Sequence, residues 1–129
     1  MKRIMLAATV LVLIGLYAHS AAGSPGQESP QQTRRSLLIN TARQIITAEI
    51  SQAFKTGKFE DWNMLQESDV VHKMGLQLPP QTELRVLADS EGKHFSLALK
   101  DAQDTCLYTI FSDESGVVYH GQPVNCPTK

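Results

Sequence analysis

The residues able to do chemistry are few and scattered. Past the first 22 positions the histidines are His72, His94 and His120. No two stand at i,i+4 and no HExxH occurs, so no helical zinc face is written into the chain. His94 opens one candidate strand and His120 closes another. The two could meet across a sheet edge as metal ligands, but with no further ligand beside them exposed strand ends account for both. The carboxylates are scattered, with Glu60-Asp61, Glu67 with Asp69, and Asp113-Glu114 as pairs in loops. A glycosidase-type pair needs two carboxyls about 5 to 10 Å apart across a cleft, one of them buried, and solvated loop positions do not offer that. Ser112 and Ser115 flank Asp113, which suits a tight turn better than a nucleophile. GxSxG, GxGxxG and P-loop patterns are all missing. The sequence therefore assigns no catalytic residue, no metal ligand and no cofactor.

What remains is a candidate binding surface formed by Trp62, Tyr108, Tyr119 and His120, with Phe111 beside it. On a small sheet such aromatic residues also serve as cross-strand packing partners. Two cysteines, Cys106 and Cys126, complete the reactive inventory. Their spacing is not that of a CxxC pair, no histidine lies at ligand spacing from either, and an even count in an exported chain reads as a structural disulfide.

Export is expected from the first 22 residues. Lys2 and Arg3 precede an apolar run from Ile4 to Tyr17, and small residues follow through Ala22. This is the layout of a secretory signal peptide, with cleavage expected after Ala22 or, alternatively, Ser20. The run is shorter than the roughly 20 residues that a spanning helix needs. No cysteine follows it to carry a lipid. Membrane association is then expected only through an uncleaved leader.

Residues 23–32 are rich in Pro, Gly, Gln and Ser, and are expected to form a disordered leader. Residues 33–129 are expected to form a single α+β domain. With Lys2 and Arg3 removed from 12 basic residues, against 13 acidic ones, the mature chain is weakly acidic. It has no cationic cluster beyond Arg34-Arg35, which argues against nucleic-acid binding.

The elements follow from periodicity. Ile39, Ala42, Ile46, Ile50 and Ala53, widened by Leu38, Ile45 and Phe54, predict an amphipathic helix over Thr33–Thr56, capped by Thr33 or Ser36 and ended by Gly57. Phe59, Trp62 and Leu65 predict a short helical turn at 60–67 within an otherwise irregular stretch to Gly75, with Trp62 over one end of the core. Pro79-Pro80 excludes both helix and central strand. The period then changes from 3.6 to 2. Runs at 82–88, 94–100, 106–111 and 117–120, joined by polar turns, predict an antiparallel meander. The expected fold class is α+β, with one long N-terminal helix packed on a four-stranded antiparallel meander sheet.

Four segments carry a family resemblance: Asn40-Thr41-Ala42 in the helix, Gly57-Lys58-Phe59-Glu60-Asp61-Trp62-Asn63-Met64-Leu65, Phe95-Ser96-Leu97, and Phe111-Ser112-Asp113-Glu114-Ser115-Gly116-Val117-Val118-Tyr119. Together, over Leu37 to Cys126, the chain resembles the globular head of type IV pilin-like and pseudopilin proteins. The resemblance implies a long helix on an antiparallel sheet and a disulfide securing the C-terminal loop, where Cys106 and Cys126 fall. It implies no catalytic residue. The likeness is to the head alone, because the Gly-Phe…Glu segment that heads the family's assembly helix is missing. The expected function is an exported, non-enzymatic interaction domain of the cell envelope, periplasmic or secreted. Its expected partner is another envelope or surface protein, docked on an edge strand. The alternative is a small secreted ligand-binding or inhibitory domain of cystatin-like arrangement, its site made by Phe59–Leu65 and the tail beyond Tyr119.

Overall fold

The computed structural model describes residues 29–104, 106 and 108–121. The expected signal peptide, most of the expected leader, and Cys126 lie outside the described residues. Helix α1 spans Pro30–Thr56, α2 Trp62–Leu65 and α3 Asp69–Met74; strands follow as β1 Thr82–Ala88, β2 Phe95–Asp101, β3 Thr109–Asp113 and β4 Tyr119–Gly121. The strands lie in the order β1-β2-β3-β4, each antiparallel to the next. This is the expected α+β arrangement, a long helix across a four-stranded meander. Among the described residues no helix is long and apolar enough to cross a membrane.

Helix α1 begins three residues before the expected start. Ser29 is its N-cap: the Ser29 hydroxyl accepts from the Gln32 N–H at 3.2 Å, and the Gln32 side-chain oxygen accepts from the Ser29 N–H at 2.8 Å. Pro30 stands at the first helical position, where its missing N–H costs nothing and its fixed φ helps. Residues 30–32 therefore belong to the helix rather than to a leader, and Ser29-Pro30 starts it. The far end is as expected. Gly57 takes φ 80° and its N–H donates to the Ala53 carbonyl at 2.8 Å.

The buried face of α1 is rotated from the expected one. Leu38, Thr41, Ala42, Ile45, Ile46, Ala48 and Glu49 are buried, whereas Ile50 and Phe54 are exposed, Phe54 at 89%. The inner face of the sheet supplies Val86, Phe95, Leu97, Leu99 and Ile110, which join the α1 residues, Ile46 among them, in one core. Each such buried aliphatic side chain contributes about 1.5 to 3 kcal/mol relative to exposure. Trp62 packs partly buried against this core, as do Phe59, Leu76 and Leu78.

Helix α3 was not separately expected. Ser68 caps it by accepting from the Val71 N–H at 3.4 Å, Val70 and Val71 reach the core, and Gly75 closes it at φ 61°. Strand β3 starts at Thr109 rather than Cys106, because the Cys106 N–H is turned to the Asp104 carboxylate at 2.8 Å instead of a neighbouring strand. Strand β4 starts at Tyr119 rather than Val117. The Val117 N–H and carbonyl are held by the Ser115 and Ser112 hydroxyls at 3.3 and 2.8 Å, which keeps Val117 in the turn.

One turn is docked on its neighbour through backbone alone. Gly92, in the β1–β2 turn, has φ 68°, and its carbonyl accepts from the Phe59 N–H at 2.8 Å. A Cβ at that position would lie 2.5 Å from the Lys58 Cβ and 3.0 Å from the Phe59 carbonyl oxygen. Gly92→Ala therefore suffers both a disfavoured φ and a backbone collision. It is expected to cost about 1 to 3 kcal/mol, read as a lowered urea midpoint at unchanged slope.

Candidate functional site

The meander register sets four side chains in a row across the outer face of the sheet, the face away from α1. Arg85 pairs with Ala98, Ala98 with Phe111, and Phe111 with Tyr119. Alternation along each strand sends Leu97, Ile110 and Val86 inward, so this row points outward. Phe111 is 47% exposed, Tyr119 52% and Leu87, one position along β1, 48%. The Phe111 ring lies against Gly121, where an added Cβ would come within 3.0 Å of it. Glycine there lets the ring lie flat along the sheet. At one margin the Lys100 ammonium donates to Glu83 at 3.4 Å. The result is an apolar and aromatic band with charged borders.

A second constellation lies on the inner side and ties α1 to the β2–β3 and β4 ends. The Asp104 carboxylate accepts from Arg35 Nε at 2.8 Å and Nη2 at 3.2 Å, from Gln31 Nε2 at 2.8 Å and from the Cys106 N–H at 2.8 Å. Burial opposes its charge, but these bonds outweigh burial and hold the Asp104 carboxyl below the usual range. The Arg35 guanidinium sits 4.6 Å over the Tyr108 ring, and the Tyr108 hydroxyl is hydrogen-bonded to His120 Nδ1. Burial raises the Tyr108 phenol above its ordinary value. With its carboxylate engaged by Arg35, Gln31 and the Cys106 amide, this cluster clamps the start of α1 to the strand ends.

A third group escaped the sequence reading. Glu49 is fully buried, accepts only from the Glu60 N–H at 3.3 Å through Oε2, and has no partner for Oε1 among the described residues. Burial, with Glu60 and Asp61 adding repulsion against the one backbone bond, raises its carboxyl to about 7. Its position three and four residues after Ile46 and Ile45 was the available signal, masked because a glutamate is normally read as a solvent residue.

The expected surface residues divide. Tyr108 and His120 meet, with ring centroids 5.8 Å apart, but Tyr108 is buried and faces inward. Tyr119 points to the outer face, and Trp62 stands apart on α2. His94 does not approach His120; its Nδ1 pairs with Glu114 at 2.6 Å, an exposed contact that raises the imidazole above its ordinary value through that hydrogen bond and charge. Ser115 binds Asp113 within the turn, as hairpin chemistry implies. No group of three or more metal-ligating side chains gathers among the described residues. Cys106 is buried and there is no free cysteine among the described residues; its expected partner Cys126 lies outside them. Clefts among the described residues include one of about 210 Å³ beside Lys58, Asp61 and Gly92, one of about 350 Å³ between Trp62, His72 and Leu78, and a more apolar one of about 220 Å³ lined by Leu37, Leu38, Pro79 and Pro80 together with Arg34 and Asp101.

Two outcomes follow from the buried carboxyls. Asp104→Asn leaves Arg35 facing a neutral amide and is expected to cost about 2 to 4 kcal/mol in urea unfolding near neutral pH. Glu49 acts with the opposite sign. Its folded value of about 7 lies above the ordinary 4.5, so the folded chain keeps a proton that the unfolded chain releases. Its stability is full below about pH 4.5 and falls as pH rises through 7, by about 3 kcal/mol. Glu49→Gln is expected to flatten that slope in unfolding curves taken from pH 5 to 8; an unchanged slope would place the titration elsewhere.

Comparison with known proteins adds no assignment: no family model, no curated protein and no solved structure matches this chain.

Proposed function

We propose that this chain is an exported, non-enzymatic interaction domain of the cell envelope, and that its outer sheet face receives the partner. One observation carries the reading: Phe111 and Tyr119 stand side by side on adjacent strands, each about half exposed, on a face that no element of the described chain covers. An antiparallel sheet normally keeps such a face polar. Exposed aromatic residues in a band with charged borders match the make-up of a protein-binding patch.

The leader residues support export, and the pilin-head resemblance points to another envelope or surface protein as partner. In this reading Cys106 pairs with Cys126 in an oxidising compartment and secures the end of the domain. The inner polar cluster supports a rigid platform rather than a reaction centre, since its carboxylate is spent on internal bonds.

The test compares the full chain with Phe111→Ala/Tyr119→Ala as bait for envelope proteins. The double variant is expected to keep the wild-type melting temperature within a few degrees and to lose captured partner about tenfold or more. Equal capture by both proteins would remove the outer face from the function.

A further inference from the structure

Helices α2 and α3 and the residues that follow them line a cleft to which no strand contributes. Leu65, fully buried, pins α2 to the core, and Trp62 and Gln66 stand one turn apart on the same face of that helix. Gly75 then ends α3. At φ 61° its N–H donates to the His72 carbonyl at 3.2 Å, and the Leu76 N–H donates to the Val71 carbonyl at 3.4 Å. The chain reverses there, and Leu76 and Leu78, both packed on the core, become a further wall of the cleft. Its volume of about 350 Å³ falls within the roughly 300 to 1,000 Å³ of small-ligand sites.

The lining joins carbon surface to neutral hydrogen-bonding groups. Trp62, Leu76 and Leu78 supply the first. The Gln66 and Gln77 amides each bring an acceptor oxygen and a two-donor nitrogen, and the His72 imidazole adds a ring nitrogen. None of these three polar side chains, nor the Trp62 indole N–H, makes a hydrogen bond to the described residues. Their capacity is unspent, whereas the Asp104 carboxylate is taken up by Arg35, Gln31 and the Cys106 amide. No aspartate, glutamate, lysine or arginine lines the cleft, so a phosphate, carboxylate or ammonium would find little there to offset its lost hydration. A wholly apolar ligand would leave two amides unmatched. The ligand that fits has a flat C–H face for the indole, neutral donors and acceptors around its edge, and a small apolar group for the leucines. A pyranose ring supplies the first two. An acetamido substituent supplies the third: its methyl meets Leu76 and Leu78, and its N–H and carbonyl exchange hydrogen bonds with a glutamine amide.

We propose that the Trp62 cleft binds a neutral N-acetylated hexosamine, its ring stacked on the indole and its polar edge held by Gln66 and Gln77. The chemistry is the same in a free sugar and in a glycan chain. The site belongs to the helical part of the chain and stands independently of any partner on the face of Phe111 and Tyr119.

Trp62 is the only tryptophan of the chain, so its fluorescence reports this cleft alone. Titrating the full chain with N-acetylglucosamine and with its β-linked trimer is expected to give a saturable shift, with a dissociation constant on the order of 1 mM or tighter. A trimer about tenfold or more tighter than the monosaccharide assigns the site to glycan chains, and equal constants assign it to the free sugar. Cellotriose, with hydroxyls in place of the acetamido groups, is expected to bind about tenfold more weakly than the acetylated trimer. Gln66→Ala and Gln77→Ala are each expected to weaken binding about threefold to tenfold, with circular dichroism showing both variants folded. Saturation-transfer NMR supplies a readout free of tryptophan emission: the acetyl methyl is expected to receive the most saturation. A flat titration with both acetylated sugars would overturn the proposal. So would cellotriose binding as tightly as the acetylated trimer, or binding that Gln66→Ala/Gln77→Ala leaves unchanged.

Discussion

Burial of one side of α1 against the inner face of the sheet is the interaction on which the rest of the structure depends. Leu38, Ala42, Ile45 and Ala48 meet Phe95, Leu97, Leu99 and Ile110 in a single core. The described residues form one core, with no second one among them to compensate if that contact is lost. Among the described residues the sheet is covered on one side only, by α1, and its other side carries the exposed Phe111 and Tyr119. The outward row from Arg85 to Tyr119 is the direct product of that asymmetry.

Polar groups then fix how the helix lies on the sheet, which apolar packing alone leaves loosely specified. Arg35 and Gln31 reach from the first turns of α1 to Asp104, and Arg35 continues over Tyr108 to His120. At the other end, the Glu60 N–H is bound by Glu49 and Asp61 is bound to the end of β1. The two sites differ in chemistry. Asp104 is buried with its charge answered by a guanidinium, while Glu49 is buried with one backbone N–H to answer a charge and so keeps its proton up to about pH 7. The first anchors the helix start, and the second makes the region where α1 gives way to α2 sensitive to proton concentration.

Much of this was legible in the sequence, and the parts that were not have physical reasons. The alternation of Phe95, Leu97 and Leu99 marks an inner strand face without ambiguity, and Gly57 marks the helix end. The helix face was harder. Leu38, Ile39, Ile45, Ile46 and Ile50 spread apolar side chains over a wide arc, so spacing alone admits two phases; the sheet selects the one that places Glu49 inside. The start of α1 was obscured because Pro30 sits among other turn-forming residues, and only the reciprocal Ser29–Gln32 bonding distinguishes a helix start from a linker. The aromatic residues were recognised as a surface, yet Tyr108 and Tyr119 lie on opposite faces. Strand parity decides this, and the late start of β3 could not be foreseen without knowing that Asp104 takes the Cys106 amide.

The meander order of the strands also shapes how the molecule forms. Each strand pairs with its immediate successor, so every hairpin can close over a short loop with little entropic penalty. Helix α1 is different: it precedes all four strands, and its main partners are β2 and β3. A chain that emerges N-terminus first therefore presents the greasy side of α1 well before anything exists to shelter it. Until Phe95 to Ile110 arrive, that stripe of the domain has no sheet to pack against and stays open to a holding chaperone.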